Sequence, residues 1–144
     1  MARTLSVLLI LCLAWFTIAA PLQQRQGGDL QCNINRLKIV NSLASTNTAV
    51  GKIDTTDPAT ASAVTAAQAG LTSASAGIKT IAQSLLTGQA APASARDQVQ
   101  AGLLAAQTAL TGITDPTATA AVTAAQNQLT TTIADGAAVV ADCK

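Results

Sequence analysis

The chain has 144 residues, 49% of them hydrophobic and only 10% charged, and it contains no His, no Glu and no Tyr. Asp and Lys are left as the acid–base groups, which argues against an enzyme. A formal net charge of +1 and 1% aromatic residues supply neither the long-range field nor the stacking rings that nucleic-acid binding needs.

Arg3 precedes an almost purely apolar run from Leu5 to Ala20. This order of charge, apolar stretch and small residues predicts a secretory signal peptide over residues 1–19. The run is too short for a transmembrane segment, which needs about 20 apolar residues. Thr17 and Ala19 occupy the small-residue positions, so cleavage after Ala19 is expected; after Ala20 the cut would meet Pro21 directly. Cys12, Trp15 and Phe16 leave with the leader. Residues 20–31, rich in Gln and Gly, have no apolar periodicity and read as a disordered leader or pro-segment, with a second cut after Arg25 as an alternative start.

From Cys32 onward the apolar spacing is helical. Ile34, Leu37, Val40, Leu43, Val50 and Ile53 mark a first helix, ended by Asp54-Thr55-Thr56-Asp57-Pro58. Asp57 reads as an N-cap and Pro58 as a first helical residue. In the second helix Val64, Leu71, Ile78 and Leu85 stand seven apart, with Ala67, Ala74 and Ile81 between them, as in a coiled-coil seam. Gly70 and Gly77 cost about 1 kcal/mol each in a helix, tolerable where a neighbouring helix comes very close. Gly88 and Pro92 break the chain. A third helix carries Val99, Leu103, Ala106, Leu110 and Ile113, up to Thr114-Asp115-Pro116. The fourth carries Val122, Ala125, Leu129, Ile133, Val139 and Val140.

The second and fourth helices are copies. Each follows Asp-Pro, and each contains Ala-Val-Thr-Ala-Ala-Gln, at residues 63–68 and 121–126. The first and third align more loosely, Leu43 with Leu103 and Ile53 with Ile113. The expected fold is therefore all-α: an up-down-up-down four-helix bundle over residues 32–143, built from a duplicated helical hairpin. Cys32 and Cys143 are the two cysteines of the mature chain, and in an exported protein they read as a disulfide. An even number of antiparallel helices brings both to one end of the bundle.

No catalytic, cofactor-binding or metal-binding residue emerges. Asp57 and Asp115 are explained as caps, Asp97 sits in a first helical turn, and the Asp residues are too sparse for calcium. What remains is contact. The candidate apolar contact seam is Val64, Leu71, Ile78, Val122, Leu129 and Ile133. An Ala-rich core buries little area per residue, and the hairpins are expected to splay from the Asp-Pro end to expose that seam.

The leader, the Ala-Pro-Leu-Gln-Gln-Arg segment after it, and the Ala/Thr/Ser-rich helical body resemble small secreted fungal proteins of the hydrophobic surface binding protein A and cell-wall galactomannoprotein type. The chain differs in being shorter and in its terminal cysteines, and no functional residue is carried over. The resemblance implies a secreted, extracellular or wall-bound protein whose partner is a hydrophobic surface or cell-wall polymer. It also leaves room for a small lipid such as a fatty acid held between helices. A secreted effector acting on a protein partner is a further alternative, and ice binding is disfavoured by the irregular Thr spacing.

Overall fold

The computed structural model describes residues 20–143, with side chains from residue 30 onward; the segment expected to be a signal peptide lies outside the described residues. Four helices follow one another: α1 Ala20–Val50, α2 Pro58–Leu86, α3 Ala93–Thr111 and α4 Thr119–Asp142. They form an up-down-up-down bundle, and a disulfide joins Cys32 to Cys143 across a Cα–Cα distance of 5.0 Å. Residues 20–31 are helical where the sequence predicts a disordered leader. Gln23, Gln24, Arg25 and Gln26 are good helix formers, and extending an existing helix avoids the cost of a new nucleus.

The helix ends show how local chemistry sets the connections. Asp57 caps α2 by accepting from the Thr60 N–H at 2.7 Å, with Pro58 in the first turn. Asp115 behaves differently from the cap the sequence predicts. It accepts from the N–H and hydroxyl of Thr117, at 2.9 and 2.7 Å, and so closes one turn ahead of α4, which begins at Thr119. The structural counterpart of Asp115 is Asp54, bound in the same way by Thr56. The reason is the residue two places on: Thr offers both donors, whereas Ala59 follows Asp57 at that spacing. At the other end of α2, Gly88 takes φ 72°, and the Gly88 and Gln89 N–H groups bond to Leu85 and Ser84 carbonyls at 3.0 and 2.9 Å. This is a Schellman stop, which favours glycine.

The helices are not equally close. α2 runs against α3, and α1 against α4, along their lengths; α1 and α2, like α3 and α4, touch only sparingly, and the diagonal helices stay more than 8 Å apart between Cα atoms. The tight pairs are therefore α2/α3 and α1/α4, not the hairpins of the repeat, α1/α2 and α3/α4. Residue size explains the first pair. A Cβ placed on Gly70 would lie 2.6 Å from the Gly102 carbonyl oxygen and 2.8 Å from the Ala106 nitrogen, and one on Gly77 2.8 Å from the Ala95 carbonyl oxygen. Backbone meets backbone, so the glycines the sequence singled out are required. Gly102 belongs to the same seam, with its own Cβ position 2.5 Å from the Gly70 carbonyl oxygen.

The duplication is visible in burial. Val64 and Val122, Ala67 and Ala125, and Leu71 and Leu129 are buried at equivalent places on α2 and α4. On α1 and α3 the same holds for Leu43 and Leu103, Thr46 and Ala106, and Val50 and Leu110. Exchanging the halves carries α2/α3 onto α4/α1, so each tight pair is the counterpart of the other.

One stripe differs from expectation. Ile34, Leu37 and Val40 are exposed, while α1 buries Cys32, Asn35, Ile39, Leu43, Thr46 and Val50. Steps of three turn about 60° backwards on a helix of 3.6 residues per turn, so the run from Ile34 to Leu43 drifts to the opposite face.

Candidate contact surface

The six residues of the expected seam divide by depth. Val64, Leu71, Val122 and Leu129 are buried in the core; Ile78 and Ile133 are half-buried and pack against it. The closed molecule thus holds four of the six inside.

Most of the exposed large aliphatics lie in the disulfide half, where Lys38, Lys79, Arg96, Asp97 and Asp142 are exposed as well. Leu30, Ile34, Leu37 and Val40 project from α1, Leu37 with 72% of its surface exposed. Leu86, at the end of α2, is 87% exposed, and Val140, near the end of α4, 63%. The Cys32–Cys143 bridge and a hydrogen bond from Asn35 Nδ2 to Asp142 Oδ2, 2.6 Å long, hold the end of α4 beside this part of α1. Val140 stands eleven residues after Leu129, about three helical turns further toward the disulfide. Ile78, Ile81 and Val139 lie half-buried in the same half of the bundle. Among the described exposed large aliphatics, Val40 on α1 and Leu104 on α3 lie nearer the middle of the bundle.

The opposite end is acidic. A shallow depression there is lined by Asp57, Ala59 and Thr60 on one side and by Gly112 to Pro116 on the other, so the two Asp-Pro loops adjoin. The Thr56 hydroxyl, then its N–H, hold the Asp54 carboxyl below its ordinary value. The Thr60 N–H does the same for Asp57. These are capping interactions on exposed carboxylates. Among the described residues no three His, Cys, Asp or Glu side chains gather as a metal site, and no helix is long and apolar enough to cross a membrane.

The sequence missed two features of this surface. The outward ridge of Ile34, Leu37 and Val40 stands in the same apolar stripe of the sequence as buried Leu43 and Val50, although its spacing of three carries the correction. The polar α1/α4 seam left no apolar signal: the Thr46 and Thr132 hydroxyls meet at 2.9 Å, fully buried. Compared with family models, curated proteins and solved structures, the chain matches none.

Proposed function

We propose that the protein is a secreted, non-enzymatic component that adheres to hydrophobic surfaces or to the cell wall, in the manner of the fungal surface-binding and galactomannoprotein types it resembles. The observation that supports this reading is the gathering of exposed Leu, Ile and Val at the disulfide end, opposite an end that carries Asp54, Asp57 and Asp115. Such a molecule adsorbs with these aliphatics against the surface and the Asp-Pro loops in water, the charged Lys38, Lys79 and Arg96 among the aliphatics keeping their head groups solvated. Burying one exposed Leu or Val contributes about 1.5–3 kcal/mol, so a few such side chains hold a protein of this size on an apolar surface.

Adsorption to octyl-coated silica from dilute buffer tests the reading. The oxidised protein is expected to deplete from solution, Leu37→Asp and Val140→Asp to weaken retention by about tenfold each, and Leu104→Asp to behave as the parent. No retention of the parent, or equal loss in all three variants, would overturn it.

A further inference from the structure

We propose that the bundle opens as two rigid helix pairs, α1/α4 and α2/α3, which part at the disulfide end and hinge on residues 51–57 and 112–118. The inference deepens the adhesion reading and rests on it for its purpose, since opening would present the buried Leu71 and Leu129 to the surface already touched by the exposed aliphatics of that half.

Chain connection supports this first. Only two covalent links run between the pairs, and both are the Asp-Pro loops, which adjoin at one end. The disulfide ties α1 to α4, and the Gly88 loop ties α2 to α3. Both of these fall inside a pair, so among the described residues no covalent link joins one pair to the other at the disulfide end. The direction is the reverse of the splaying that the sequence suggests.

The strength of the contacts follows the same division. Within a pair, backbone lies against backbone at Gly70, Gly77 and Gly102, or hydroxyl against hydroxyl at Thr46 and Thr132. Between pairs the helices keep further apart and meet through side chains. That layer is tightest near the hinge, where Val50 and Leu110 are wholly buried, and loosens to half-buried Ile78 and Ile133 and exposed Val140 at the other end. A side-chain bond that does cross between pairs, from Gln126 Nε2 to the Leu110 carbonyl at 3.3 Å, also lies toward the hinge. Both hinge segments begin with a glycine, Gly51 and Gly112, and both carry the Asp–Thr turn described above. Hinges of this kind absorb backbone rotation in a few loop residues while the packed elements move whole.

Spin-label distances in the full oxidised chain, with Cys32–Cys143 intact, test the proposal. Labels at the exposed positions of Ser94→Cys and Ala137→Cys report across the pairs at the open end, and Thr108→Cys with Thr123→Cys across them near the hinge. Lys79→Cys with Ser94→Cys, and Asn41→Cys with Ala137→Cys, report within each pair. In free solution the open-end distribution is expected to be the broadest. On octyl-silica it should lengthen by about one helix diameter, near 10 Å, while the other three stay unchanged. Four equally narrow distributions in solution, or lengthening within either pair, would overturn the hinge. A protein that fails to adsorb but shows the broad open end removes the adhesion reading and leaves the hinge standing. Adsorption with all four distances unchanged does the opposite.

Discussion

The two tight pairs occupy equivalent places in a duplicated fold, yet they are held by different chemistry. In α2/α3 the seam is Gly70, Ala74, Gly77, Gly102 and Ala106, so the helices approach until backbones touch. In α1/α4 the equivalent of the Ala74–Ala106 contact is the Thr132–Thr46 hydroxyl pair, and Ala95 is matched by buried Asn35, which donates to Asp142. The first seam draws on dispersion between close surfaces. The second depends on satisfied polar groups, which contribute about 1 kcal/mol per hydrogen bond net and cost more when left unpaired. The disulfide sits on the polar pair. A duplicated unit thus diverged into one seam closed by the absence of side chains and one closed by hydroxyls and a covalent clasp.

The comparison is broken most strongly at the clasp. Cys32→Ser/Cys143→Ser removes closure of a loop with a sequence separation of 111 and is expected to cost about 4–5 kcal/mol in chemical unfolding. Next comes a comparison of one helical glycine from each pair. Gly102→Ala places its Cβ 2.5 Å from a carbonyl oxygen and 2.7 Å from the Ala74 nitrogen, backbone that cannot move aside, and should destabilise by about 1–3 kcal/mol. Gly136→Ala in the other pair meets only the tip of Ile39, at 3.3 Å, and should be neutral or stabilising by up to about 1 kcal/mol from helix propensity. Equal losses at the two glycines would show that the seams do not differ as described.

Smaller again is the hydroxyl pair. Thr46→Val or Thr132→Val alone should cost about 1 kcal/mol, and the double variant little more than either, because replacing both partners leaves no orphan. Additive losses in that double-mutant cycle would contradict a direct Thr–Thr contact. Acid gives the smallest effect. The Asp54 and Asp57 carboxyls are held below their ordinary 3.8 in the folded chain. Their contribution is therefore complete above that value and lost as pH falls through the lowered folded values. Urea midpoints should decline slightly over that acid range for the parent, and less so for a variant with both Asp residues replaced by Ala.

Much of this fold could be read from the sequence. The start of α2, the Asp-Pro breaks and the Gly88 stop follow from capping and turn chemistry that act within a few residues, and the cysteine clasp from an even pair of cysteines after the leader. Val64, Leu71, Val122 and Leu129 were found because the coiled-coil spacing is strong in α2 and α4. Pairing was not legible, since the preference of α2 for α3 over α1 depends on which helices can bring small residues face to face, and the repeat makes α1/α2 look like the unit. Nor was the α1 face, where Asn35, Ser42 and Thr46 take core positions that an apolar pattern skips while Ile34 and Leu37 point outward. The contact surface was hidden for the same reason: aliphatics at helical spacing read as core until the fold shows that nothing covers them.

Amide hydrogen exchange resolved along the chain, in the oxidised and the reduced protein, addresses the two-pair arrangement most directly. Reduction is expected to strip protection chiefly from α1 and α4, about the Thr46–Thr132 contact, and to leave the α2/α3 seam around Gly70 and Gly102 the better protected half. Greater loss in α1 and α2 than in α4, or a collapse centred on α2 and α3, would contradict it.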